Sequence, residues 1–190
     1  MQIYTIDDFR PMPWANGGGE TLELFRLPHP RRQDAFALRL SVADVRQSGP
    51  FSHFAGVDRQ LGLLEGAGME LALADGRVLR LDQAGQVVAF TGEIDIACRL
   101  LDGPLRDCNL MLARDWGRGE LSHAACEAGE ILEWEACDLS LIYLHQGRWS
   151  AEGGELPKEC LLLAEQETVR LEALSAAAYW RADVTLHSAA

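Results

Sequence analysis

The side chains with the most chemistry to offer are two arginines, Arg59 and Arg39, with Asn16, Ser41, Ser52 and Asn109 as polar companions. Inward-facing guanidinium groups flanked by amides and hydroxyls suit a ligand carboxylate, gripped by two parallel N–H donors. Trp14, Phe51 and Phe54 would offer apolar surface to a planar or aliphatic body beside that carboxylate. Two other placements stay open: a structural ion pair between Arg59 and an internal acid, and a solvent-facing Arg39. Asp58 is not that acid, because adjacent strand residues point to opposite faces. His53 follows Ser52, but sequence neighbours are not a geometric pair and no G-x-S-x-G motif accompanies them. No catalytic residue is assigned.

The elements that must position these residues read as short strands. From Ala35 to Val45, Phe36, Leu38, Leu40 and Val42 alternate with Ala37, Arg39, Ser41 and Ala43. The first set is a core face, and the second suits solvent or a pocket wall. Upstream, Trp14-Ala-Asn-Gly-Gly-Gly-Glu-Thr-Leu-Glu23 is a structural turn or a ligand-contacting loop, with neither phosphate-binding glycine pattern. The stretch Leu61 to Phe90 is cut by turns at Glu65-Gly66, Asp75-Gly76 and Ala84-Gly85. Asp-Gly between alternating segments signals a hairpin, with Met69, Leu71 and Leu73 facing Val78 and Leu81. Asp107, Asn109 and Met111 share a face further on. From Leu121 the pattern starts again: Ile142 to Gly147 parallels Leu61 to Gly66, and Cys160 to Ala164 parallels Gln86 to Phe90. This is a degenerate repeat of roughly 80 residues.

The strand-glycine order resembles the middle of a cupin barrel. The expected fold is therefore all-β: a bicupin of two small antiparallel barrels of jelly-roll type, residues 1–115 and 116–190, with little helix. Metal cupins carry His-x-His, then Glu, then a glycine seven residues on. Counting back from Gly66 puts Arg59 at the Glu position and Ser52 with Phe54, or His53 with Ala55, at the histidines. The later histidine falls at Val87 or Val88. One imidazole at most survives, and transition metals need three or more donors, so neither metal nor cofactor is expected.

Composition narrows the rest. Hydrophobic residues make up 48%, enough for a packed core, and the net charge is -12. An acidic chain is repelled by phosphate backbones and anionic lipid, so neither nucleic acid nor membrane is expected as a partner. The N-terminus lacks the basic start and apolar core of a signal peptide. Five cysteines, with no C-x-x-C spacing, fit free thiols in a cytoplasmic protein.

In order, Trp14-x-Asn16-Gly-Gly-Gly19-x-Thr21-x-Glu23, Arg39-x-Ser41-x-Ala43, Gly49-Pro-Phe-Ser52-x-Phe54-x-Gly56-x-Asp-Arg59, Leu63-Leu-x-Gly66 and Asp107-x-Asn109-x-Met111 resemble the HutD/Ves family. The match runs from residue 14 to about 114, and Ala15 and Ala55 replace a lysine and a proline common in that family. The resemblance implies a bicupin associated with histidine utilisation, a governor of pathway flux. It also implies urocanate or formylglutamate as ligand for HutD members, and a cold or stress role for Ves-like ones. The expected ligand-binding set is Trp14, Asn16, Arg39, Ser41, Ser52, His53, Phe54, Arg59 and Asn109. A protein that binds a small carboxylated metabolite is the first expectation, and a metal-independent isomerase or hydrolase the alternative. A homodimer is left open.

Overall fold

The computed structural model describes residues 1–187. Its strands are β1 (Gln2–Tyr4), β2 (Arg10–Pro13), β3 (Gly19–Pro28), β4 (Phe36–Val45), β5 (Gly49–Pro50), β6 (Val57–Glu65), β7 (Met69–Leu73), β8 (Val78–Leu81), β9 (Val87–Thr91) and β10 (Ile96–Leu100). They continue as β11 (Leu105–Ala113), β12 (Gly117–Cys126), β13 (Ile131–Glu135), β14 (Leu139–Gln146), β15 (Trp149–Ala151), β16 (Gly154–Glu155), β17 (Cys160–Ala164), β18 (Thr168–Ala173) and β19 (Ala177–Leu186). Helix among the described residues is limited to one 3₁₀ turn at Ile6–Asp8. No helix there is long and apolar enough to cross a membrane.

The chain divides into two units, Arg10–Arg118 and Met1–Phe9 with Gly119 onward. In the first, β2-β3-β4-β11-β6-β9 form one sheet and β5-β10-β7-β8 another. In the second, β12-β19-β14-β17-β1 form one sheet and β13-β18-β15-β16 another. Each strand from β4 to β11 thus has a counterpart eight places later, which is the internal repeat. The units are cupin-like two-sheet sandwiches, and the paired sheets are not closed into barrels. Leu61, Leu63, Met69, Leu71 and Ile96 from the two sheets of the first unit share one core. In the second, Ile142, Leu144, Leu162, Val169 and Leu171 do the same.

Two expectations need correction, and one lies partly outside the described residues. The first nine residues fall in the second unit, not the first, because β1 pairs with β17 through Gln2, Ile3 and Tyr4 against Leu163, Leu162 and Leu161. Residues 188–190 of the expected second barrel lie outside the described residues. Within the Asp75-Gly76 hairpin, Leu71 faces Leu79, while Val78 pairs with Ala72 and is exposed.

Gly66 and Gly147 show why the repeat kept a glycine after its central strand. Both have positive φ, 102° and 84°. A Cβ at Gly66 would lie 2.8 Å from that of Leu105 at the start of β11, and one at Gly147 would lie 2.4 Å from that of Ala177 at the start of β19. Gly66→Ala is therefore expected to lower stability by about 1–3 kcal/mol, as crowding in a packed site does, read as a shifted denaturant midpoint.

Candidate functional site

The register of the first unit's larger sheet aligns the candidate side chains in rows. Met111 on β11 faces Arg39 on β4 and Arg59 on β6. Two residues along, Asn109 faces Ser41 and Leu61, and after two more Asp107 faces Ala43 and Leu63. Because side chains alternate along a strand, residues at this spacing share one face. That face forms the wall of a cavity of about 460 Å³. Of the nine expected residues, Trp14, Asn16, Arg39, Ser41, Ser52, Phe54, Arg59 and Asn109 line it.

His53 does not. It is exposed outside the cavity, and its Nε2 lies 2.5 Å from Asp95 Oδ1. In the segment leading to β6, Ser52 and Phe54 turn towards the cavity and the residue between them turns away.

Arg59 is 6% exposed. Its Cζ sits 5.1 Å from the ring centroids of Phe51 and Phe90 and 5.5 Å from that of Phe54. The electron-rich faces of these rings attract a guanidinium without neutralising it. Nη1 makes a long hydrogen bond of 3.5 Å to the Ser52 carbonyl, and Nε is buried with no partner. Burial pulls this group down to about 10, with Asp107 opposing the shift and Arg39 adding to it. The charges of Arg59 and Asp107 interact through space without closing an ion pair.

Arg39 differs. Its Nε donates to Glu23 Oε2 at 2.7 Å, and both side chains are largely buried. Its Nη groups reach the sulfurs of Met111 and Met12 at 3.9 and 3.4 Å. The pocket-wall placement holds for Arg39, but its charge already has a partner, so Arg59 is the cation left for a ligand.

The glycine-rich segment forms the rim. Trp14 Nε1 donates to Thr21 Oγ1 at 2.9 Å, and the Gly18 amide donates to Asn16 Oδ1 at 2.9 Å. A Cβ at Gly19 would meet the Asp44 carbonyl at 2.4 Å and the Trp14 ring at 3.0 Å, so the indole packs where only glycine fits.

Asp107 was missed as a candidate, although its alternation with Asn109 and Met111 was a signal for it. It is 2% exposed, and Oδ1 has no hydrogen-bond partner. Burial lifts its carboxyl to about 7, with Arg59 opposing the shift and Asp44 adding to it. The Asn109 side-chain carbonyl is likewise buried and unpartnered.

The repeat's other copy is internally paired at the same rows. Ser140 stands seven residues before Gly147, as Arg59 stands before Gly66, and it faces Asp183 as Arg59 faces Met111. Ser140 Oγ donates to Asp183 Oδ1 at 2.6 Å. Arg181 approaches Asp183 Oδ2 at 2.8 Å, not aligned for a hydrogen bond, and covers the Trp134 ring at 5.2 Å.

Cupin folds commonly hold a metal, but this cavity is a poor fit for one. Among the described residues it is lined by one carboxylate, one thiol (Cys98), two arginines and neutral amide and hydroxyl groups, with no imidazole. Among the described residues no three or more His, Cys, Asp or Glu gather to hold a metal ion.

The family model described as HutD matches residues 6–186. An uncharacterised 21.2 kDa protein in the hutC 3′ region of Pseudomonas putida is 42% identical over 121 residues, 64% of this chain and 63% of its own length. The chain thus spans just under two thirds of that curated relative. A conserved protein of unknown function, PA5104 from Pseudomonas aeruginosa PAO1, superposes with a TM-score of 0.83 at 35% identity, covering 98% of this chain and 99% of its own. HutD from Pseudomonas fluorescens SBW25 superposes with a TM-score of 0.78 at 27% identity, covering 98% and 99%. Likeness to a bacterial pirin from Escherichia coli, at 12% identity and a TM-score of 0.67 over 96% and 97%, concerns the fold alone. With a family match over nearly the whole chain and a cavity wall carrying the motif residues, this chain belongs to the HutD family.

Proposed function

We propose that the first unit binds a small carboxylated metabolite and that Arg59 receives the carboxylate. One observation carries this reading: a buried guanidinium, ringed by three phenyl groups and without an ion pair, lines a cavity sized for a metabolite. A cation so placed disfavours folding until an anion joins it, and an incoming carboxylate gains that energy on binding. Trp14 and Phe54 supply apolar wall, and Asn16, Ser41, Ser52 and Asn109 supply hydrogen-bonding groups. HutD membership, with a relative in a hutC 3′ region, directs the choice of ligand to intermediates of histidine breakdown, urocanate or formylglutamate. The role is then modulation of histidine utilisation from the cytoplasm.

Asp107 favours a second reading. A carboxyl lifted to about 7 inside a ligand cavity is suited to proton transfer, as a metal-independent isomerase or hydrolase would need. Calorimetric titration of the purified protein with urocanate and with formylglutamate tests the first reading, and following each compound over hours tests the second. Saturable binding of one compound without its consumption is the expected outcome. Turnover would select the enzyme, and no binding of either compound would remove the proposed ligands.

A further inference from the structure

Resting on the carboxylate reading of Arg59, we infer that the ligand also carries an N–H donor and that the Asp107 carboxylate receives it. Asp107 is the only acid among the described cavity-lining residues, and its Oδ1 is buried without a partner. The Asn109 side-chain carbonyl, on the same face two residues along β11, is also an acceptor without a partner. Buried acceptors left unpaired are costly, and native structures keep few of them. Glu23, the other buried acid on this sheet, is committed to Arg39 at 2.7 Å and leaves Asp107 untouched.

The inner wall is therefore polarised. Arg59 presents an unpaired donor, and Asp107, once ionised above the value of about 7 to which burial lifts it, presents with Asn109 unpaired acceptors. Their rows lie four residues apart on β11, ~13 Å of strand, a length that an arginine side chain and a small metabolite share. A ligand with nothing but carboxylates would satisfy Arg59 while setting further acceptors against Asp107 and Asn109. A ligand with a carboxylate at one end and an N–H at the other completes both, and Asp107 then enforces selectivity. Sites built to hydrogen-bond a donor reject analogues that lack it, because their own buried group is left unpaired.

Matched ligand pairs test this. Urocanate is compared with 3-(2-furyl)acrylate, which keeps the acrylate and a five-membered ring but has no N–H. Formylglutamate is compared with its N-methyl derivative. Each is titrated at about pH 8.5, where Asp107 is ionised, into the parent protein and into Asp107→Leu, with folding of the variant checked by circular dichroism. For the compound that binds, the parent is expected to prefer the N–H form about tenfold or more. Asp107→Leu, which removes the acceptor, is expected to bring that preference within about threefold while keeping the affinity for the N–H-free analogue. Equal affinity of the parent for both members of a pair overturns the inference and leaves the carboxylate reading standing. Full selectivity retained in Asp107→Leu also overturns it, placing the discrimination elsewhere. Absence of binding by all four compounds sinks the carboxylate reading and this inference with it.

Discussion

Arg59→Ala is expected to weaken binding of urocanate or formylglutamate, whichever the parent takes, by about 2–5 kcal/mol, the loss seen when a desolvated charge pair is broken. The size of the effect follows from the site. The guanidinium is buried, its aromatic neighbours cannot replace an anion, and Arg39 cannot substitute because Glu23 holds it. The ligand-free variant is not expected to melt lower than the parent, since removing an unpaired buried charge relieves a desolvation cost. Saturating ligand should raise the melting temperature of the parent and leave that of the variant unchanged. Unchanged affinity in Arg59→Ala would make the residue structural and move the site elsewhere.

Asp107→Asn should make the ligand-free protein more stable relative to the parent as pH rises. The ordinary carboxyl value is 3.8, and burial lifts it to about 7 in the folded state. Between those values the folded protein keeps a proton that the unfolded chain has released, so Asp107 opposes folding increasingly from about pH 4 to about pH 7. At ~1.4 kcal/mol per pH unit, the variant-minus-parent difference should grow by on the order of 4 kcal/mol across that window and level off above it. The charged groups acting on Asp107 are Arg59, which opposes the shift, and Asp44, which adds to it and is itself 3.2 Å from Arg106. Urea denaturation of both proteins at several pH values reads the difference. A flat difference from pH 4 to 7 would mean that Asp107 titrates normally and is not desolvated.

Much of this site was legible because its positions follow from local rules. Gly66 must be glycine where its strand end meets Leu105, and counting back from it fixes the parity of Arg59. The Asp75-Gly76 hairpin and the face shared by Asp107, Asn109 and Met111 are consequences of period-2 alternation. What escaped depends on residues distant in sequence. Glu23 neutralises Arg39 through pairing of β3 with β4 across a bulge between Glu23 and Phe25, which alternation alone cannot place. Pairing of β1 with β17 joins opposite ends of the chain, so residues 1–9 could not be assigned to the second unit from local pattern. His53 sits outside any strand, where parity has no force, and it lies beside Asp95 outside the cavity. The significance of Asp107 is tertiary: its type and face were visible, but its burial and lack of a partner were not.

The most direct test is a crystal structure of the protein with urocanate or formylglutamate bound. The expected result is a ligand carboxylate within hydrogen-bonding distance of the Arg59 guanidinium, inside the cavity walled by Ser41, Asn109 and Met111. A ligand lodged elsewhere, with Arg59 closed onto Asp107 as an internal ion pair, would contradict the account.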